Sequence, residues 1–458
     1  MYSPYTPSEK WRTLVHVCRG WRNLAFTSPR HLNLQLFCRP PRRSVDKMLE
    51  VWPELPVYLQ AFDHPKKQGK DKVVAALRLN HRVSVIRLEK ISARGWEMFE
   101  PLMHHPFPWL THLWAQPRLS IQNPISRSFL GGSASCLRDL VLFGVSIPTL
   151  PELLLSTTNL VRLWYNDVPL SGYIPPQEII TSLSALIWLE SLSLTFHSPQ
   201  DHPDIAVPIP PPHTRTLIPT LTYFRFRGVS MYMEVLASHF EAPSLESLAI
   251  TLFYQEFLEV SELAKFVHGA DKKLSLVDRG EVTFTPDWVS GELSQEVPVW
   301  RVDPKTLRIN LACSEWNFNP SNLARFCASF FSTYSAFQCV EISISMESRW
   351  QDVNDHPDPN WLKLLCVLNT VKHLYLDWSV ASQVFKFLRG LPLERFMEVL
   401  PALEDLIIPS LEYCLGPLKE EASEFADARQ LSGHPVSIRS YRWELRGAKR
   451  LNAWEVDD

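Results

Sequence analysis

Residues 137–142 read Leu-Arg-Asp-Leu-Val-Leu, with leucines at the first, fourth and sixth positions. Because side chains alternate across a strand, the last two leucines predict a strand that buries one face. The same apolar pattern recurs along most of the chain. Its further copies are Val83/Ile86/Leu88, Leu110/Leu113/Ala115, Leu160/Leu163/Tyr165, Leu189/Leu192/Leu194, Leu221/Phe224/Phe226, Leu245/Leu248/Ile250, Phe337/Val340/Ile342, Val371/Leu374/Leu376 and Leu403/Leu406/Ile408.

The first seven copies start at residues 83, 110, 137, 160, 189, 221 and 245. These steps lie within or just beyond the period of about 20–29 residues that is typical of leucine-rich repeats. Each unit would bury its leucines against its neighbours, and right-handed connections would coil the array. The sequence therefore predicts an α/β fold, an irregular leucine-rich-repeat-like solenoid with a horseshoe shape. An unrelated α/β fold with leucine-rich strands is the alternative. Return helices are predicted at Pro175–Leu186, Met231–Phe240 and Leu323–Phe331.

The predicted solenoid covers residues 83–420, with an irregular section at 251–336. In that section Val282–Phe284 and Leu307–Leu311 resemble strands, but their spacing predicts an insertion or a discontinuity. Residues 41–82 are interpreted as a linker or N-terminal cap, and residues 421–458 as a C-terminal cap and tail. Within 41–82 we predict a helix at Val45–Trp52, a strand at Leu55–Ala61 and an exposed loop at Asp63–Lys72.

The N-terminal stretch has helical rather than strand periodicity. Its apolar residues recur at three- and four-residue spacing and fall on one side of a helix, opposite Arg19 and Asn23. Thr6 and Glu9 predict a capped start, and Ser28-Pro29 predicts the end, since the residue before proline avoids the α region. The apolar residues are Trp11, Leu14, Val15, Cys18, Trp21, Leu24 and Ala25. Cys18 is interpreted as a small core residue.

The string Trp11-x-x-Leu14-x-x-Val17-Cys18-Arg19-x-Trp21-Arg22-x-Leu24-Ala25, followed by Ser28-Pro29-Arg30-x-Leu32, resembles the second half of an F-box. It is most similar to the F-box proteins with degenerate leucine-rich repeats of mushroom-forming fungi. An F-box opens with a Leu-Pro-x-Glu helix, which residues 1–10 do not contain. The resemblance implies that residues 1–40 form a partial F-box. Its adaptor-binding residues would be Leu14, Val15, Val17, Cys18, Trp21 and Leu24.

The resemblance also implies a function. The chain would be the substrate-recognition subunit of an SCF cullin–RING ubiquitin ligase, joined to a Skp-family adaptor and holding an unknown protein target. A second interpretation is a leucine-rich-repeat scaffold, or a diverged or truncated F-box protein, that no longer docks to the ligase. Whether a first F-box helix lies upstream of Met1 is left open.

Composition bounds the remaining classes of function. The net charge is −3 over 458 residues, so no global preference for nucleic acid or membranes is expected, although residues 1–45 are locally basic. The eight cysteines are scattered singly and no signal peptide or apolar span is evident, which predicts an intracellular location, in the cytoplasm or nucleus. We find no nucleotide-binding, hydrolase or metal-binding motif and expect no enzyme activity, cofactor or metal. An α/β enzyme with an unfamiliar site is a third interpretation.

A binding surface follows from the strand pattern. If the apolar positions face inward, the alternate positions line the opposite face of the sheet. Tryptophan, tyrosine and arginine dominate interface hot spots because they bury much area and keep a polar group. We predict that a partner binds on this concave face at Trp114, Arg162, Trp164, Tyr223, Arg225 and Tyr375. The same positions also hold His112, Asp139, Ser191, Ser193 and His373.

Overall fold

A computed structural model describes residues 16–27, 36–38, 55–62, 67–197, 215–253, 260–270, 280–286, 307–313, 320–331, 339–342, 360–376, 378–392, 395, 398–409 and 417–441. The chain divides into two compact units. Unit 1 comprises residues 1–203 with 216–221, and unit 2 comprises residues 204–215 with 222–458. Each unit is a mixed α/β structure built on a parallel sheet, which confirms the predicted α/β class.

Within the described residues, the sheet of unit 1 has seven parallel strands in the order of the sequence. They are β1 (Leu36–Cys38), β2 (Val57–Phe62), β3 (Val83–Ile91), β4 (His112–Pro117), β5 (Asp139–Phe143), β6 (Arg162–Val168) and β7 (Ser191–Phe196). A short strand, β8 (Thr216–Leu217), follows. Such an order requires the chain to cross back after every strand.

The predicted apolar positions coincide in the register of this sheet. Leu140 of β5 lies beside Leu113 on one side and Leu163 on the other, and Leu142 lies beside Ala115 and Tyr165 in the same way. All of these side chains are buried. The apolar pattern therefore marks one continuous inner face of the sheet, as predicted.

The connections also repeat. The carbonyl of Thr111, just before β4, accepts hydrogen bonds from two successive amides, those of Arg138 at 2.8 Å and Asp139 at 3.1 Å. The carbonyl of Arg138 accepts two such hydrogen bonds from amides of the next repeat, and the carbonyls of Thr222 and Lys372 do the same in unit 2. The same backbone geometry thus leads into successive strands, which is the structural form of the sequence repeat.

Short helices connect the strands of unit 1. They are α2 (Lys67–Leu77), α3 (Ala93–Phe99), α4 (Leu150–Leu155) and α5 (Pro176–Leu183), and they are preceded by α1 (Arg19–Thr27). Helix α5 confirms the helix predicted at 175–186. Helix α2 corrects the exposed loop predicted at Asp63–Lys72 over residues 67–72, and residues 63–66 lie outside the described residues. Val73, Ala76 and Leu77 recur at helical spacing and are buried, so this lysine-rich segment has one apolar side that the charge count concealed.

The described part of unit 2 contributes eight parallel strands to its sheet. They are β9 (Tyr223–Val229), β11 (Ser247–Phe253), β12 (Gly280–Pro286), β13 (Leu307–Cys313), β14 (Cys339–Ile342), β15 (His373–Leu376), β16 (Asp405–Pro409) and β17 (Ser437–Tyr441), with the short β10 (Phe240–Glu241) outside this sheet. Strand β17 pairs with β16, so the predicted C-terminal cap adds one more strand to the ladder.

The order of these strands departs from the sequence at one place. Strand β13 lies between β11 and β12, with Leu307 in register with Leu248 on one side and Gly280 on the other. Strand β14 then pairs with β12. This exchange falls within the irregular section predicted at 251–336, and it explains why the repeat frame fails there.

The helices of unit 2 are α6 (Ser230–His239), α7 (Ser261–Gly269), α8 (Pro320–Phe331), α9 (Asn360–Val367), α10 (Trp378–Arg389) and α11 (Pro417–Leu431). They cover the inner face of the sheet. Phe226 of β9 stacks on Tyr232 of α6 with 5.7 Å between ring centroids, and Phe224 meets Phe266 of α7 at 6.1 Å. Helices α6 and α8 confirm the helices predicted at 231–240 and 323–331.

Helix α7 takes its N-terminal cap from the preceding helix. The carboxylate of Glu234 on α6 accepts hydrogen bonds from the amides of Glu262 at 2.9 Å and Leu263 at 3.0 Å. A carboxylate at a helix N-terminus satisfies orphan amides and favours the helix dipole.

Replacing Glu234 with alanine is therefore expected to lower the free energy of unfolding by about 1–2 kcal/mol in urea titrations. The exposed Glu97→Ala on α3 serves as the control and should change it by less than about 0.5 kcal/mol. Equal effects of the two substitutions would contradict the capping role.

Candidate interaction surfaces

Helix α1 carries an exposed apolar stripe. Val17 just before the helix and Trp21 and Leu24 within it are 66%, 51% and 61% exposed. Trp21 and Leu24 are three residues apart and therefore lie on the same side of α1. Val17 lies four residues before Trp21, just ahead of the helix. An apolar stripe of this kind is typical of a surface that a partner covers. Leu14 and Val15 lie outside the described residues, as do Thr6 and Trp11.

Cys18 is not a core residue, which corrects the sequence interpretation. Its thiol is exposed, and its Sγ accepts a hydrogen bond from the amide of Trp21 at 3.4 Å, while its carbonyl accepts from Arg22 at 3.1 Å. These bonds make Cys18 the N-terminal cap of α1. The described helix thus begins at Arg19, and it ends at Thr27 where the Ser28-Pro29 signal predicts.

We call the face of each sheet opposite its inner face the open face. In unit 1 the open face carries a histidine–aspartate–arginine cluster. These are the first residues of β4, β5 and β6, and they lie side by side in register. Asp139 joins His112, with 2.8 Å between Oδ2 and Nε2, to Arg162, with 3.0 Å between Oδ1 and Nη1. The cluster links three neighbouring strands through one carboxylate.

Aromatic rings lie beside this cluster. The guanidinium of Arg87 lies 5.1 Å from the ring centroid of Trp114, and that of Arg162 lies 5.5 Å from the ring of Trp164. Trp164 also donates a hydrogen bond from Nε1 to Ser191 Oγ at 2.9 Å. Trp164 is only 7% exposed, so little of its ring is accessible to a partner. Trp114 and Arg162 are half-buried and have accessible surface that a partner can contact.

Unit 2 repeats the cluster with different residues. Asp405, the first residue of β16, joins His373 on β15, with 2.8 Å from Oδ2 to Nδ1, and Arg439 on β17, with 2.9 Å from Oδ1 to Nε. Asp405 is buried, and its two partners are partly exposed. All three line an open depression of about 580 Å³ together with Glu404, Pro435, Val436 and Ser437.

The repeated cluster has a counterpart in the sequence. Residues 110–114 read Leu-Thr-His-Leu-Trp and residues 371–375 read Val-Lys-His-Leu-Tyr. The following strands begin Leu-Arg-Asp-Leu at 137–140 and Leu-Glu-Asp-Leu at 403–406. His112, Asp139 and His373 were predicted to face outward, but Asp405, Arg439 and Arg87 were not singled out.

The remaining predicted residues of this face lie in unit 2. Tyr223 and Arg225 are half-buried on the open side of β9, at alternate positions to the buried Phe224 and Phe226. Tyr375 is half-buried on β15, between the buried Leu374 and Leu376. The structure thus places Trp114, Arg162 and Trp164 together in unit 1, and Tyr223 beside Arg225 in unit 2.

Within the described residues, no group of three or more histidine, cysteine, aspartate or glutamate side chains could hold a metal ion. Over the same parts of the chain, every helix is too short or too polar to cross a membrane. A scan against protein-family models and a search of curated proteins both find no match to this chain.

Proposed function

We propose that this chain is a non-catalytic interaction protein, the substrate-recognition subunit of an SCF-type cullin–RING ubiquitin ligase. Helix α1 docks on a Skp-family adaptor, and the open face of each sheet is a surface to which a protein target can bind. The cullin–RING subunits carry out ubiquitin transfer. The chain then acts by proximity, because holding the target raises the effective concentration of its lysines near the charged conjugating enzyme.

The exposed stripe of α1 is the observation that carries this proposal. Residues 16–24 are all exposed, and the large apolar side chains among them, Val17, Trp21 and Leu24, match the F-box string. A monomer that uses Trp21 to stabilise its own core would bury most of that large ring. The exposure therefore favours a partner for this helix over an internal role.

The second support is the repeated backbone of the two sheets. We propose that each unit is a run of leucine-rich-repeat-like turns in a solenoid with a horseshoe form, and that its open face is the concave, target-binding side. The parallel pairing of β2 to β7 in sequence order and the alternation of buried and half-buried residues support this architecture. Arginine and aromatic side chains on the open face suit a protein partner.

Adaptor binding tests the proposal directly. Purified chain is titrated with a Skp-family adaptor, and we expect binding that Trp21→Ala weakens by at least about tenfold, because buried aromatic anchors contribute about 2 kcal/mol or more at interfaces. Asn23→Ala, on the other side of α1, is the control and should bind like the unchanged chain.

Absence of adaptor binding would contradict the ligase role. In that case a Leu-Pro-x-Glu helix fused ahead of residue 1 provides the decisive second measurement. Binding rescued by the fusion would restore the F-box interpretation, and continued failure would leave a repeat scaffold that holds a partner without ubiquitination.

A further inference from the structure

Arg225 differs from the other buried or half-buried arginines of the described residues in the contacts of its side chain. Seven further arginines in the described residues are buried or half-buried, and each has a carboxylate, carbonyl or aromatic ring beside its guanidinium. The pairs are Arg82 with Leu55, Arg87 with Glu89, Arg162 with Asp139, Arg215 with Glu262, Arg227 with Phe253, Arg429 with Leu400 and Arg439 with Asp405. Within the same residues, Arg225 makes no hydrogen bond, ion pair or ring contact.

Arg225 is half-buried and has no counter-charge beside it within the described residues, and any loss of water around an unpaired guanidinium is energetically unfavourable. Side chains that carry such a cost in the isolated protein are candidates for binding, since a partner can provide the missing acceptor. Arginine suits this role because its planar fork binds a carboxylate through two parallel hydrogen bonds.

The surroundings of Arg225 leave room for an extended chain. On the neighbouring strand β11, Ser247, Ala249 and Thr251 are in register with Tyr223, Arg225 and Arg227. These three side chains are short, whereas those on β9 are long. Adjacent strands are about 4.8 Å apart, so the half-buried Ala249 and Thr251, which follow the buried Ser247, form a low row beside Tyr223 and the two arginines. This row is here called the trough.

The charge of this trough is positive. Strands β9 and β11 contain two arginines and no aspartate or glutamate. The guanidinium of Arg227 is held 5.3 Å from the ring centroid of Phe253, so it remains a cation in a fixed place beside the trough. Two cations along one strand complement a segment with acidic side chains at alternate positions, which are spaced like those of the strand.

We infer that the open face of β9 and β11 binds an acidic, extended segment of a protein partner, with a carboxylate of that segment on Arg225. This inference rests on the proposed target-holding role and identifies the chemistry of the target. Nucleic acid is a poorer match, because duplex or single-stranded binding usually neutralises many phosphates, and the trough offers two arginines on a chain of net charge −3.

The test uses the full chain and a fluorescein-labelled peptide of alternating glutamate and serine, followed by fluorescence anisotropy. We expect saturable binding that weakens with added salt and that Arg225→Gln reduces about tenfold, the loss of one charge-assisted contact. Arg225→Lys should retain part of the affinity, since it keeps the charge but not the fork. Arg325→Gln, an exposed arginine on α8, is the matched control and should bind normally.

Several results would overturn the inference. These are no binding of the glutamate peptide, equal binding of a glutamine–serine peptide, or an unchanged affinity of Arg225→Gln. Tighter Arg225-dependent binding of a single-stranded RNA, or binding of a phosphoserine peptide where the glutamate peptide fails, would assign the trough to a different anion. Adaptor binding through α1 is measured separately, so its failure with the trough intact would reject only the ligase role.

Discussion

Asp405→Ala is expected to lower the free energy of unfolding by about 2–3 kcal/mol. The substitution removes a buried carboxylate and leaves His373 and Arg439, which are 25% and 37% exposed in their side chains, without their shared partner. Breaking a fully buried pair costs about 3–5 kcal/mol, and the partial exposure of the two partners reduces that figure. Urea unfolding followed by tryptophan fluorescence measures the change.

The adjacent glutamate provides a matched control. Glu404 pairs with Lys372 at 2.8 Å, but its side chain is 57% exposed, so Glu404→Ala should cost less than about 1 kcal/mol. Similar losses for Asp405→Ala and Glu404→Ala would show that the cluster does not stabilise unit 2. Asp139→Ala in unit 1 extends the comparison, since that carboxylate bridges the equivalent histidine and arginine.

Tyr165→Phe is expected to cost unit 1 about 1–3 kcal/mol. The buried Tyr165 hydroxyl accepts a hydrogen bond from the amide of Ile147 at 3.0 Å and donates one to the carbonyl of Gly172 at 3.1 Å. Burial also raises the pKa of the Tyr165 hydroxyl, so it stays a neutral donor at ordinary pH. Phenylalanine would leave both backbone groups without this partner.

The glycine beside this tyrosine makes the contact testable from both sides. A Cβ at position 172 would lie 2.6 Å from the Tyr165 hydroxyl oxygen and 2.9 Å from the Cα of Ser146, so Gly172→Ala should also destabilise by about 1–3 kcal/mol. Because phenylalanine removes the oxygen that the new methyl group meets, the double variant should lose less than the sum of the single losses.

The exposed Leu170→Ala in the same loop is the control and should fall within about 0.5 kcal/mol of the unchanged chain. Strict additivity of Tyr165→Phe and Gly172→Ala in urea unfolding would contradict a direct contact between the two positions.

Much of the fold could be predicted from the sequence because local periodicity determines which side chains are buried. The pattern at Leu137/Leu140/Leu142 repeats at nearly constant steps. Alternate apolar residues are enough to predict which face of a strand is buried. Helices α5, α6 and α8 followed from their own spacing in the same way. The prediction of an exposed loop was wrong for the charged segment that forms α2 (residues 67–77), because its lysines conceal a narrow apolar side.

The candidate surfaces were predicted less completely. The outward positions of Arg162 and Arg225 followed from the alternation of side chains along a strand. Whether such an arginine pairs with an acid depends on residues that are about a full repeat or more away in the sequence. Asp139 precedes Arg162 by one repeat, and Asp405 precedes Arg439 by another. No local pattern tells which arginine meets an acid and which one stays without.

The sequence by itself determined the α/β class, the positions of most strands and the inward row of leucines. Each of these depends on residues within a few positions of one another, where strand and helix geometry act directly. Tertiary structure alone decided the exchange of β12 and β13, the solvent exposure of Cys18, the two histidine–aspartate–arginine clusters and the lack of a partner for Arg225 within the described residues. These features depend on which strands lie side by side, and strand order is set by packing among residues that are distant in the chain.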